Sequence, residues 1–320
     1  MSTLSTSVIL PSAILLGLAL LAVLWGAGRA TRTSVAGSET TVFAAAPAEP
    51  VLVGAGRTVA ADPPAVGRAH RPGGYRGSAE PAMDSGTRPV GSYAHGLIAV
   101  ALALLTLALV ARAIASGRPP ISNQYEFAVA FAWGTLTAYS VVLRRRGGAA
   151  SALVVLPVAL GLLLYALTLG GEVRPLQPAL QHRWLLGVHV AAAMLGYGAA
   201  AVAFGLAVLR LLPTRIPGRP ADERLDDLSA RSAILAFPLL TLMLVLGAVW
   251  ADLAWGRYWS WDPKETAALV TWLIYGAYVH ARVLRDWRGR GAAWLLVLGF
   301  AAVLFTYFGN LFLGGLHAYA

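Results

Sequence analysis

Between two long apolar stretches the chain reads WGRYWSWDPKE at 255–265. This short segment holds Trp255, Trp259, Trp261, Tyr258, Arg257 and Lys264. Aromatic faces beside cations at a membrane boundary suit a large, flat, anionic ligand. An aromatic belt at the water interface accounts for some of these rings, but interfacial anchors are usually scattered and do not reach this density. The segment also carries a helix start. Asp262 is placed as N-cap, Pro263 as the first helical residue, and Glu265 as the reciprocal acid of a capping box.

Six histidines are present, and three occupy telling positions. His189 falls just inside one end of an apolar span, and His317 just beyond the end of the last span. The aromatic segment opens on the same side of the membrane as both. Imidazole is a common axial ligand for haem iron, so two histidines flanking an aromatic, cationic loop form a candidate metal-binding pair. His280 differs: about fourteen residues into its span, at 1.5 Å each, it lies about 21 Å deep, towards the other leaflet. A neutral histidine within a membrane needs a polar partner and often marks a functional path; a hydrogen bond to a neighbouring helix explains it equally well. His95 and His70 read as solvated. His182, two helical turns before His189 if that stretch is helical, competes as a ligand but reads more simply as a loop residue.

The elements that must position these groups are membrane helices. Hydrophobic residues make up 58% of the chain and charged residues 12%, with a mean hydropathy of +0.65. Runs long enough to cross a hydrocarbon core of about 30 Å recur at 8–27, 93–112, 125–143, 149–169, 186–209, 234–251, 266–283 and 292–313. The expected fold is an all-α polytopic bundle of about eight transmembrane helices. Pro157 and Pro238 fall inside spans, which packed membrane helices tolerate.

A net charge of +10 raises the question of nucleic acid, but its distribution answers against it. Cations concentrate in alternate connections: Arg29 through Arg88, Arg144 to Arg146, Arg210 through Arg231, and Arg282 through Arg290. The others hold only Arg112, Arg118, Arg174, Arg183, Arg257 and Lys264. The positive-inside rule assigns the first set to the cytoplasm, which puts both termini and the tryptophan-rich loop outside. The first span lacks a basic leader and is followed by Arg29 and Arg32, so it reads as a membrane helix and not as a cleaved signal. The chain has no cysteine and so no thiol chemistry of its own. Its Arg, Ala and Gly enrichment suggests a GC-rich bacterial genome.

Three regions follow: a first transmembrane helix at 1–27, a linker at 28–90, and a membrane domain at 91–320 whose outer loop occupies 252–265. The linker is rich in Ala, Gly, Pro and Ser without helical or strand period, and reads as flexible and cytoplasmic. Asp222 to Arg231 reads as a short amphipathic helix on the inner face. Asn123 to Glu126 has capping-box spacing at the outer start of the third span. Arg174, Arg183, Arg257 and Lys264 are the outer cations available to pair with ligand carboxylates.

At these residues the chain resembles the haem-handling superfamily named for its tryptophan-rich WWD motif. More narrowly, it resembles the CcsA/ResC component of system II cytochrome c biogenesis, called CcsB in actinobacteria. The matching pieces are WGRYWSWDPKE at 255–265, TWLIYGAYVHAR at 271–282, LQHRWLLGVHV at 180–190, TYFGNLFLGGLHAYA at 306–320 and SNQYEF at 122–127. Two departures stand out: His182 replaces a common small polar residue, and Gln124 a common Met. The resemblance implies haem b as cofactor, ligated outside by His189 and His317, with His280 at an inner site on the transfer route. Trp255, Trp259, Trp261, Asp262, Tyr258, Arg257 and Lys264 are then cofactor-binding. It further implies a bacterial plasma-membrane subunit that works with a ResB-like partner as part of a holocytochrome c synthase. Haem would be carried outward and joined by thioether bonds to the CXXCH motif of an apocytochrome c. A CcmC-like delivery protein without synthase role is the nearest alternative, and eight spans with His280 count against it. A polar-solute transporter would need intramembrane charges that the spans almost wholly lack.

Overall fold

The structure, a computed structural model, describes residues 2–39, 88–143, 149–172, 183–216 and 219–317. Among these, eight helices are long and apolar enough to cross a membrane, one for each expected span. They are α1 (Ser2–Glu39), α2 (Arg88–Ser116), α3 (Gln124–Leu143), α4 (Ala152–Leu169), α5 (Arg183–Leu211), α6 (Asp222–Trp255), α7 (Pro263–Arg285) and α8 (Arg290–Phe308); a single turn, α9 (Asn310–Leu313), follows. The fold is an all-α polytopic membrane bundle.

Three boundaries differ from expectation. Helix α1 continues to Glu39, past the linker boundary expected at residue 28; an established helix adds residues at little cost once nucleated. The rest of the expected linker, 40–87, lies outside the described residues, as do His70, Arg174 and His182. The expected surface helix at 222–231 is instead the first part of α6, a continuous helix of 34 residues with Pro238 inside it. Its buried face, from Leu225 through Leu228 to Ser232, packs into the bundle without a break. Finally, 252–255 belong to the last turn of α6, so the loop proper begins at Gly256.

Helix α5 is the bundle's centre. It packs on α3, α6 and α8, while α1 and α2 pair with each other, α1 leaning on α4 and α2 on α3. The α3–α5 crossing brings backbones into contact: a Cβ on Gly134 or Gly198 would collide with the main chain of the facing helix. Small residues at such crossings let van der Waals packing replace the hydrophobic drive that lipid removes. Between α7 and α8, Thr271 and Thr306 hydroxyls meet at 3.0 Å.

Charged side chains fasten both ends. At one end Glu126 lies buried between Arg112 (2.7 Å) and Arg118 (3.2 Å), and Arg112 also donates to the carbonyls of Gly171 and Glu172. The start of α3 is therefore only half a capping box. Asn123 Oδ1 accepts from Glu126 N–H at 2.9 Å, but the Glu126 carboxylate turns to the arginines and to Ser122. At the opposite end Arg210, Arg219, Arg282 and Arg288 bridge Asp222, Asp226, Asp227 and Asp286. This ties the α5–α6 connection to the α7–α8 connection.

Candidate functional site

The aromatic loop, the start of α5 and the end of α8 converge at one end of the bundle. His189 stands two turns into α5 and faces α6. Its Nδ1 lies 2.8 Å from the carbonyl oxygen of Met243. A carbonyl only accepts, so Nδ1 carries the proton and Nε2 holds the lone pair. The ring fits there because α6 has glycine opposite: a Cβ on Gly247 would lie 2.9 Å from His189 Cε1 and 3.3 Å from its Nδ1. One turn on, buried Trp250 stacks on the same imidazole, centroids 6.2 Å apart.

Helix α6 ends where Gly256 takes a left-handed conformation (φ 72°) and donates to Asp252 O at 2.8 Å. The loop then reverses onto α7. Trp261 adopts φ +58°, a region that bulky residues rarely occupy and that tends to mark functional or strained sites. This turn sends Trp259 inward and leaves Trp261 70% exposed.

The expected capping box at the start of α7 is present. Asp262 accepts from Lys264 N–H at 3.0 Å, and Glu265 accepts from Asp262 N–H at 3.3 Å. Asp262 does more than cap. Its Oδ2 accepts the N–H of Leu316 at 2.6 Å, and its Oδ1 lies 2.9 Å from His317 Nδ1. Gly315, at φ +102°, passes so close to this carboxylate that a Cβ would strike it. One buried carboxylate therefore joins the start of α7 to the segment that carries His317. Burial alone would raise the Asp262 carboxyl, but N–H donors from Lys264 and Leu316 and the neighbouring His317 outweigh it and hold the group below its ordinary value. Burial and the Lys264 ammonium lower His317 despite the opposing Asp262. An ionised Asp262 only accepts, so the proton of His317 sits on Nδ1 and Nε2 is again the lone-pair nitrogen.

Both imidazoles line a single hollow of about 900 Å³ including its open mouth, together with Trp250, Tyr258, Trp259 and Lys264. Helices α3, α5 and α8 close it with Phe127, Tyr197 and Tyr307. Lys264 Nζ stands 5.6 Å from the centroid of the Phe127 ring. Trp259 Nε1 is buried without an acceptor, which a ligand oxygen entering the hollow would supply. Two imidazoles whose Nε2 keeps the lone pair, aromatic walls, one ammonium and one N–H without an acceptor fit a flat, iron-bearing, carboxylated ligand such as haem.

Of the residues singled out by sequence, His189, His317, Trp259, Tyr258 and Lys264 share this hollow. Trp255 stands behind it, packed edge-on against His317 (4.9 Å) and Trp250 (5.0 Å). Asp262 supports His317 from outside the lining. Arg257 and Trp261 face outward and do not line it. His280 lies far along α7, exposed on the bundle's outer face. His95, expected in solvent, is half-buried against Tyr139, 6.1 Å between centroids. Sequence reading missed Gly247, Trp250 and the Met243 carbonyl. The available signal was the Gly247 to Trp250 spacing, one turn apart on a span whose end opens into the loop.

The model of the family described as cytochrome C assembly protein matches residues 121–317. The cytochrome c biogenesis protein CcsA of Thermosynechococcus vestitus is 38% identical over 272 residues, covering 69% of this chain and 85% of that relative. CcsA of Guillardia theta is 36% identical over 255 residues, covering 70% and 84%. Among solved structures, the cytochrome c heme lyase CcmF superposes over 96% of this chain with a TM-score of 0.56 at 22% identity, a likeness of fold alone; this chain spans 46% of that lyase. The pocket-bearing half of the chain is thus the part the family model covers, and the chain belongs to the cytochrome c assembly family as a CcsA-type cytochrome c biogenesis protein.

Proposed function

We propose that this protein is the haem-binding membrane subunit of a system II cytochrome c synthase. It receives haem b, holds it at the end of the bundle that carries the aromatic loop, and presents it for thioether attachment to the CXXCH motif of an apocytochrome c. The observation that carries this reading is the pair His189 and His317. Each has Nδ1 committed to an acceptor, which orients Nε2 as the ligating nitrogen, and both line one aromatic hollow. Haem would supply the vinyl groups that react; the chain's own residues would hold the iron, shield its faces with Trp250 and Trp259, and receive a carboxylate at Lys264 and Trp259 Nε1.

The charge distribution supports assigning that end, and both termini, to the outside of a bacterial plasma membrane. His280 supports a second station. It is a polar side chain exposed on a membrane helix, which calls for a polar partner from another chain, and a ResB-like subunit would meet that need. His280→Ala should then lower outer loading from endogenous haem, while reduced haem added outside still loads the mutant.

The deciding experiment is absorption spectroscopy of the purified protein, co-expressed with a ResB-like subunit, alongside a cytochrome c maturation assay. His189→Ala and His317→Ala should each lose six-coordinate low-spin haem and maturation, and added imidazole should restore part of the spectrum. Unchanged spectra in both variants would overturn the assignment.

A further inference from the structure

The two imidazoles are held in different ways. His189 sits on a continuous helix of 29 residues, wedged against Gly247 and stacked on buried Trp250, with a neutral carbonyl behind it. His317 sits on a short turn after α9, reached through two left-handed glycines, Gly314 (φ 67°) and Gly315 (φ 102°); Trp250 and Trp255 pack beside its ring, and a carboxylate holds its N–H. A carboxylate behind an imidazole N–H makes the ring more basic and more anionic, and so a stronger donor, than a carbonyl does.

We propose that the pair is unequal by construction: His189 is the fixed iron ligand, and His317 is the ligand whose hold depends on the iron's oxidation state, graded by Asp262. The inference rests on the axial-pair reading above. A more anionic ligand favours ferric over ferrous iron. By linkage, whatever Asp262 adds to the preference for ferric iron is lost from His317's grip when the iron is reduced. His317 therefore loosens on reduction, and its anchoring turn is the part of the site least fixed by a helix. His189 keeps its place in either state. Asp262 acts as a positioning residue, setting both where His317 stands and how strongly it donates.

The test is the midpoint potential of the haem-loaded protein in detergent, compared with Asp262→Asn and Glu265→Gln. Asn remains a good N-cap, and Gln retains the capping box. Glu265 also borders the hollow, but its oxygens serve Ser260 and the Asp262 N–H, and it acts on His317 through its charge alone, whereas Asp262 is also hydrogen-bonded to that ring. Asp262→Asn should raise the ferrous-to-ferric ratio at a fixed potential about tenfold or more, which is 59 mV for a one-electron couple. Glu265→Gln should move it far less.

Should Asp262→Asn fail to accumulate, the same quantity is read with the loop intact. In His317→Gly, filling the gap with imidazole, which can donate to Asp262, should preserve the low potential, whereas 1-methylimidazole, which has no N–H, should raise it about tenfold in ratio. The same exchange in His189→Gly should change it less. Equal shifts from Asp262→Asn and Glu265→Gln, or equal responses of the two glycine variants, overturn the inequality while leaving the axial pair intact. Six-coordinate haem persisting in both glycine variants without added ligand overturns the axial pair itself, and this inference with it.

Discussion

Gly247→Ala is the sharpest single perturbation of the site, because Gly247 lines the hollow but has no side chain with which to bind a ligand. The added methyl would sit 2.9 Å from His189 Cε1 and 3.3 Å from Nδ1, inside van der Waals contact. Two responses are open. Either α5 and α6 move apart, at the ~1–3 kcal/mol typical of overpacking, or the ring swings aside. The second costs the 2.8 Å bond to Met243 O, about 0.5–1.5 kcal/mol, and part of the stacking on Trp250. Either way Nε2 is displaced, so haem affinity should fall by about 5- to 150-fold, the equivalent of ~1–3 kcal/mol.

The matched control is Gly205→Ala, whose methyl would meet Val155 Cγ2 at 2.7 Å on α4, outside the hollow. It should lower the melting temperature by a comparable amount and leave haem affinity alone. Haem titration followed by absorbance, with melting in the same detergent, reads both quantities. If Gly247→Ala binds haem as tightly as wild type with an unchanged low-spin spectrum, His189 is not seated by that glycine and the derived geometry is wrong.

Two further outcomes follow from the loop. Trp259→Ala should weaken haem retention by about 1–3 kcal/mol, the scale of an aromatic platform, because Trp259 lines the hollow; Trp261→Ala should leave retention nearly unchanged, because that ring is 70% exposed. Equal losses in dissociation-rate measurements would point to the loop acting as a whole. The second concerns acid. His317 titrates below its ordinary 6.5, through burial first and the Lys264 charge second, and Asp262 titrates below its ordinary 3.8. Both groups lie lower in the folded state, so their stabilising contributions are complete above those ordinary values and are lost as pH falls through the lowered ones. The melting temperature of the haem-free protein should therefore begin to fall below about pH 6.5, and His317→Ala should diminish that first component. A melting curve indifferent to pH between 7 and 5 in both proteins would contradict the assignment.

Much of this protein was legible in its amino-acid order because the signals are local. An apolar run of eighteen residues has few options other than a membrane helix, since no solvent inside the bilayer can satisfy an open backbone. All eight spans accordingly appear as helices. The start of α7 was equally readable, because Asp262, Pro263 and Glu265 act on one another within a single turn. The grouping of His189, His317 and the loop on one side followed from counting crossings.

What pairs with what across helices could not be read in that way. Nothing local distinguishes Trp259 from Trp261; their division between hollow and exterior follows from one left-handed residue in a turn. Gly247 acquires its purpose only when α5 brings an imidazole against it, and Asp262, complete as a cap by its neighbours alone, gains its second role from a segment 54 residues away. Glu126 looks like a capping acid until two arginines reach it. In each case the residue's local role left bonding capacity or space unused, and the partner that took it up was delivered by long-range packing, whose geometry no short stretch of chain contains.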